Sequence, residues 1–241
     1  MHRVFLDRSS LLENPVVIRG EKAHYLFSVL RCRPGDLFTA TDEKTRSYTA
    51  RIVAASKKEV VAEITGEYSA STESGLKVTL VQGILKGEKM DLIVQKATEL
   101  GVDSIIPVIT ERSQLRDTRK LPRWKKVAEE ASRQSGRSRI PEISGHSSLR
   151  EIFDTGLISG EGIIFWERED QKLATVIRNL MGRSRITLCI GPEGGFSEKE
   201  VLFASQRGFI AASLGSRILR AETASIAAVS IVQFALGDLG S

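Results

Sequence analysis

The segment at residues 190–200, IGPEGGFSEKE, decides the reading of this chain, and it has an echo at residues 214–228, LGSRILRAETASIAA. Each follows a short apolar run that reads as a buried strand (186–190 and 209–214) and passes through glycine and a polar turn into a helix start. Two such loops leave the same edge of a parallel sheet, where helix N-termini and free backbone amides gather ligands. In the first loop Ser197 and Glu200 form an S-x-x-E capping box, and Phe196 with Val201 fits a hydrophobic staple, so a helix starts at Ser197. Gly194 and Gly195 fall in the turn itself, where glycine permits positive φ and close approach of a ligand to the backbone. No G-x-x-x-x-G-K-[ST] and no G-x-G-x-x-G follows a strand, and Glu193 would repel a phosphate. A cationic ligand, or a flat apolar one held by backbone hydrogen bonds, suits the loop better. The same residues also make a plain strand-to-helix turn, and the loop alone leaves that reading open.

Working outward, residues 76–241 alternate strands and helices. KVTLVQGIL (77–85), VDSIIPVIT (102–110), GIIFWE (162–167), RITLCIG (185–191) and FIAASLG (209–215) read as strands. EKMDLIVQKATELG (88–101) is an amphipathic helix with Met90, Ile93, Val94, Ala97 and Leu100 inward and Gly101 as its stop. Further helices are expected at 124–136, 173–181, 197–207 and 223–236. This is the grammar of an α/β domain with a mostly parallel sheet. Residues 1–70 differ: RVFL, PVVIRG, DLFTATD, SYTARIVAAS and EVVAEITGEY are short β-branched or alternating runs, interrupted by one helix, GEKAHYLFSVLR (20–31), with Tyr25 or Leu26, Val29 and Leu30 on its apolar face. A small β-barrel with one helix is predicted. The small polar stretch SASTESG (69–75) separates the two, with the linker proper at 71–75.

A formal net charge of +5 and a pI near 9.3 lean toward a polyanionic partner. The basic residues concentrate at 111–139, where Arg112, Arg116, Arg119, Lys120, Arg123, Lys125, Lys126, Arg133, Arg137 and Arg139 face four acids and Trp124 sits among them. Such a stretch serves phosphate-backbone contacts or is a solvated helix face; the shortage of balancing acids favours RNA. In the first domain His24 and Arg31 stand out in a basic context. Cys32 and Cys189 are the only cysteines, and with His2, His24 and His146 they offer no metal-ligand spacing. The absence of an apolar leader and of a spanning helix points to a cytoplasmic protein without membrane contact.

Taken together, KATELGVDSIIPVITERS (96–113), EEASRQSGRSRIPEIS, IGPEGGFSEKE and LGSRILRAETA, with HYLFSVLR near the N-terminus, resemble the ribosomal RNA small subunit methyltransferase E family, which makes 3-methyluridine in 16S ribosomal RNA. The resemblance spans nearly the whole chain in order, and the GPEGG and LRAETA pair is its most specific part. It implies an N-terminal PUA-like barrel, a C-terminal SPOUT-type domain with a deep trefoil knot, a homodimer, and S-adenosylmethionine as methyl donor, with the small ribosomal subunit as partner and no metal. One subunit's barrel would then present RNA to the other's methyl donor. The knot has no signature in the pattern, because threaded chains are rare exceptions.

On this reading the cofactor is held by Leu188, Ile190, Gly191, Pro192, Glu193, Gly194, Gly195, Leu214, Gly215, Arg217, Ile218 and Leu219. An ordinary Rossmann methyltransferase would carry its glycines after the first strand of the domain; here VQGILKG (81–87) is no such fingerprint and the glycine loops come late. Uridine N3 carries a proton on the pairing edge, so the base must be unpaired and the proton must leave. Arg220 is the candidate for anion stabilisation or phosphate anchoring, and Glu222 a candidate base whose plain role is to complement a helix dipole. RNA contacts are assigned to His24, Arg31, Arg112, Arg133 and Arg137. Three alternatives remain: a non-catalytic RNA-binding protein, marked by failure to bind S-adenosylmethionine; a nucleotide-phosphate enzyme, marked by binding of ATP or GTP; and a methyltransferase of the same superfamily acting on another RNA.

Overall fold

The capping box at Ser197 forms as its spacing dictates: the Ser197 hydroxyl accepts from Glu200 N–H at 3.2 Å and the Glu200 carboxylate accepts from Ser197 N–H at 2.8 Å. Phe196 and Val201, the staple pair, are both buried in one apolar cluster. The computed structural model that shows this describes residues 2–42, 44–68, 72–115, 118–158 and 161–240. Residues 69–71 of the linker and Arg116 of the basic stretch lie outside these. The chain divides into two compact units, residues 1–73 with 132–139, and residues 74–131 with 140–241.

The second unit is built on a parallel sheet. Its strands are β6 (Lys77–Gly83), β7 (Ser104–Ile109), β8 (Glu142–Ile143), β9 (Ser147–Ser148), β10 (Glu161–Phe165), β11 (Arg185–Ile190) and β12 (Phe209–Ala212), in the order β12-β10-β11-β6-β7-β8, with β9 also on β7. Every pairing is parallel. Helices α3 (Lys89–Glu99), α4 (Leu121–Ser135), α5 (Leu149–Asp154), α6 (Leu173–Asn179), α7 (Glu198–Ser205) and α8 (Ala221–Leu236) supply the crossovers and cover. A strand buried on both faces reads as a nearly continuous apolar run, and β11 does so apart from the exposed Arg185 and the buried Thr187: Ile186, Leu188 and Ile190 belong to one core cluster and Cys189 to the other. α3 buries Met90, Ile93, Val94 and Ala97 and ends at Gly101 with φ +84°, as its 3.6-residue period requires.

Trp124, read with the basic residues, is a core side chain at 1% exposure. The last helix is less uniformly apolar than its composition suggests. Ser225 and Gln233 are buried on it and make hydrogen bonds to Gln82 and to Gly101 O, whereas Ile231 and Phe234 are 40% and 68% exposed.

The first unit is a five-stranded sheet in the order β1-β3-β4-β5-β2: β1 (His2–Phe5), β3 (Leu37–Thr41), β4 (Ser47–Ala55), β5 (Glu59–Tyr68) and β2 (Val16–Arg19). β1 pairs with β3 in parallel and the other pairings are antiparallel. Register shifts at Thr49/Ala50 and Ile52/Ala54 bend the long β4–β5 pair over a core of Val4, Ile18, Leu26, Phe38, Ile52 and Val60. Two short helices, α1 (Arg8–Leu11) and α2 (Gly20–His24), flank β2, and α2 continues into a π-helical turn, Tyr25–Val29. Leu30 N–H reaches back five residues to Tyr25 O. That wider turn rotates Val29 out to 60% exposure, correcting the apolar face expected from an α-helical period.

The segment 132–139 belongs to this first unit, which no periodicity foretold. Glu73 holds it: the carboxylate pairs with the Arg137 guanidinium at 2.6 Å and accepts from Ser138 N–H at 2.9 Å and Arg139 N–H at 3.0 Å. Burial acts to raise the Glu73 carboxyl, but the hydrogen bonds and charge of Arg137, with the N–H and O–H donors of Arg139 and Ser138, outweigh it and hold the group below its ordinary value.

Candidate active site

Three neighbouring strands, β12, β10 and β11, end at the same edge of the sheet, and the loops that follow them enclose a cavity of about 420 Å³. From the end of β11 and the loop after it come Ile190 through Gly195. From the loop after β12 come Ser213, Leu214, Gly215, Arg217, Ile218, Leu219 and Arg220, with Ala221 and Ala224 of α8. The two glycine loops read from sequence therefore do share an edge. The third wall, Phe165, Trp166 and Glu167 after β10, and Lys89 at the start of α3, were missed. The signal for the first of these was an apolar strand running directly into Trp-Glu; for Lys89 there was none.

The first glycine loop is fixed by close packing. A Cβ on Gly83, at the end of β6, would lie 2.4 Å from Pro192 N, and one on Gly191 would lie 2.9 Å from Gly195 C. Gly195 has φ +67°, but Gly194 does not need a left-handed backbone: its constraint is Arg112, whose Cβ lies 3.0 Å from where a Gly194 Cβ would be. Arg112 also donates from Nη1 to Gly194 O at 3.0 Å, and Glu200 Oε1 accepts from Glu111 N–H at 2.8 Å. One carboxylate thus caps α7 and anchors the residue next to Arg112. At the other end of the loop, Gln82 is wholly buried; its Nε2 donates to Gly83 O at 2.9 Å, while its Oε1 accepts from the Ser225 hydroxyl at 2.5 Å. That bond ties the end of β6 to the second turn of α8.

Two sequence assignments need correction. Leu188 is not part of the cavity wall; it lies inside β11, fully buried in the core, because strand residues two positions before the edge have no access to it. Glu222 does not line the cavity either. Its carboxylate Oε2 lies 3.6 Å from Lys89 Nζ, and Lys89 Nζ is also 3.5 Å from Glu193 Oε1. Glu193 Oε1 in turn accepts from Lys86 N–H at 3.2 Å. Arg220 is exposed at the N-cap of α8 and on the wall. Cys189 is fully buried, and burial raises its thiol far above the ordinary value, so it offers no nucleophile. Among the described residues no group of three or more His, Cys, Asp or Glu is placed to hold a metal.

The residues read as RNA contacts separate. His24 and Arg31 are exposed on the first unit, and Arg31 has φ +54°. Arg133 lies with its guanidinium 4.3 Å from the centre of the Tyr25 ring. Arg137 is the clear correction: it is 3% exposed and engaged with Glu73, so it holds structure rather than facing solvent. The shortage of acids in the basic stretch is partly made up in three dimensions, since Arg123 pairs with Asp91 at 2.6 Å and Arg137 with Glu73, both acids distant in sequence.

Comparison with known proteins places this geometry. A family model described as an RNA methyltransferase domain matches residues 72–233, and one described as an RNA methyltransferase PUA domain matches residues 18–65. The chain is 33% identical to ribosomal RNA small subunit methyltransferase E of Aquifex aeolicus, covering 91% of this chain and 94% of that protein, and 32% identical to its namesake in Rickettsia conorii, covering 96% and 95%. The crystal structure of ribosomal RNA small subunit methyltransferase E from Neisseria gonorrhoeae, bound to S-adenosyl methionine, superposes with a TM-score of 0.88 at 35% identity over 99% of each chain. A likeness that runs the length of both units, with an RNA methyltransferase model over the one that carries the cavity, settles the family: the chain belongs to the ribosomal RNA small subunit methyltransferase E family of RNA methyltransferases.

Proposed function

We propose that this enzyme transfers the methyl group of S-adenosylmethionine to N3 of a uridine in the 16S RNA of the small ribosomal subunit, with the assembled subunit as substrate. The observation that carries the reading is the cavity at the ends of β10, β11 and β12, in a chain whose relatives bear that name and one of which was solved with S-adenosyl methionine. The wall suits such a cofactor: backbone groups of residues 190–195 and 214–219 are available to an adenine edge, Phe165, Ile190, Leu214 and Ile218 supply apolar surface, and Glu167 and Glu193 favour a cation. When bound, the cofactor supplies an electrophilic methyl group on a sulfonium. The protein's own task is to bring an unpaired uridine N3 in line with that methyl group and to stabilise the base as its N3 proton is lost.

The finer parts of this reading are a deep trefoil knot in the second unit, a homodimer and a cytoplasmic location. Exposure of Ile231 and Phe234 on α8 supports a second copy packing there, since apolar side chains on the last helix are then covered. The first unit, with exposed His24 and Arg31 and the Arg133–Tyr25 pair, is the proposed RNA platform. Arg112, tied to the cofactor loop, is proposed to meet RNA phosphate there. The test is mass spectrometry of small-subunit RNA from cells with and without the gene. One 3-methyluridine missing from the deletion strain and restored by the purified enzyme with S-adenosylmethionine is expected; an unchanged complement of methylated uridines would overturn the reading.

A further inference from the structure

Lys89 is oddly placed for a structural residue. It occupies the first position of α3, where the positive end of the helix dipole disfavours a cation. It nonetheless lines the cavity, and two carboxylates from two other elements converge on it: Glu193 Oε1 of the loop after β11 at 3.5 Å and Glu222 Oε2 of the first turn of α8 at 3.6 Å. Glu222 Oε2 is itself shut away from solvent and accepts no hydrogen bond, so its contact with the lysine is electrostatic. An ammonium has three N–H donors. With one directed at Glu193 and the Glu222 charge beside it, the remaining donors are left for the cavity, and the Lys89 side chain is 37% exposed.

We propose that Lys89, positioned by Glu193 and Glu222, is the group that stabilises the uridine anion in the reaction proposed above. Loss of the N3 proton to the medium leaves a negative charge spread over O2, N3 and O4 of the base. The N3 electron pair then forms the bond to the methyl carbon while the carbon–sulfur bond breaks toward sulfur, leaving a neutral thioether and a neutral methylated base. The negative charge exists only between those two events. A fixed ammonium beside it lowers the barrier without itself giving up a proton, which is the behaviour of a preorganised oxyanion donor. Arg217 and Arg220, exposed on the rim, carry no comparable pair of carboxylates to fix them among the described residues, and they suit phosphate or the cofactor's own carboxylate instead.

This inference rests on the proposed function, and its test separates the two. Wild-type enzyme and Lys89→Met are compared in single turnovers on small subunits reconstituted with RNA containing either uridine or 5-fluorouridine, whose N3–H is more acidic and whose anion needs less stabilisation. Lys89→Met is expected to bind S-adenosylmethionine within about threefold of wild type and to transfer methyl more slowly by on the order of 100-fold, the effect of removing one such donor. Fluorouridine should recover at least about tenfold more rate for the variant than for wild type. Equal rates for the two proteins, a loss explained by cofactor affinity, or a loss that fluorouridine leaves untouched would each overturn the role of Lys89. If Lys89→Met does not fold, Lys89→Gln, a neutral polar side chain of similar reach, decides by the same criteria. A wild-type protein that methylates neither RNA overturns the functional reading and this inference with it.

Discussion

The two glycine loops of the cavity look alike in sequence and are built in opposite ways. The loop after β11 is gripped from every side: Gly83 abuts Pro192, Gly191 abuts Gly195, Arg112 holds Gly194 O, Phe196 is fully buried and Ser197 opens a capped helix. The loop after β12 is held chiefly at its root, where the Ser213 hydroxyl accepts from Gly215 N–H and donates to Gly215 O. Beyond that, Gly215 has open space around it at φ +110° and Ile218 is 87% exposed. One loop is a finished wall. The other presents Ile218 to solvent, where a ligand in the cavity would cover it. The difference teaches that the cavity is half preformed, and that its second half gains its contacts from what binds.

The harshest way to break that contrast is Gly83→Val. Its Cβ would fall among the backbone of Pro192 and Gly191, with no flexible neighbour to yield. Overpacking of this kind costs about 3 kcal/mol or more, so thermal denaturation should show a strongly destabilised or unfolded second unit. A wild-type melting temperature would mean the wall is not rigid.

Nearly as large is the effect expected where the first unit uses the same device, a segment gripped by a carboxylate. Removing Arg137 (R137A) leaves the half-buried Glu73 without its guanidinium and should cost about 3 kcal/mol. With the Glu73 carboxyl held below its ordinary value, the stability it contributes is present above the unfolded carboxylate value, near pH 4.3, and is lost as pH falls through the lower folded value. Wild type should therefore weaken on acidification while Glu73→Gln, already weaker at neutral pH, changes less. Parallel pH profiles for the two would contradict the grip.

A milder cut is Ser197→Ala, which removes one arm of the capping box and should cost about 1 kcal/mol. It leaves the Glu200 bond to Glu111 in place, so cofactor affinity should hardly change. Smallest in stability is Ile218→Ala on the open loop: within about 0.5 kcal/mol of wild type by denaturant titration, yet roughly tenfold weaker for S-adenosylmethionine by isothermal titration, since about a side chain's worth of apolar cover is lost. Should Ser197→Ala weaken the cofactor more than Ile218→Ala, the division into finished and unfinished halves is wrong.

What sequence made legible follows from what is local. The capping box, the staple, the period of α3 and the parallel strands are set by neighbours within a few residues, and they were readable. The capping box at Ser148 and Glu151, which starts α5, carried the same signal and was overlooked. What stayed hidden is nonlocal. Arg137 reads as a surface cation until Glu73 is brought to it, Lys89 reads as an ordinary helix start until Glu193 and Glu222 close on it, and Leu188 reads as a site residue until the strand's depth is known. The exposed Val29 turned on a π-helical turn that no hydrophobic period announces.

The most direct test of the central claim is a crystal structure of the protein soaked with S-adenosylmethionine. The account predicts one cofactor per chain in the cavity at the ends of β10, β11 and β12, its adenine against backbone of residues 190–195 and 214–219, with Ile218 closed over it and the Gly191–Gly195 contact unchanged. Cofactor bound elsewhere on the chain, or bound there with the first loop rearranged and the second unmoved, would contradict it.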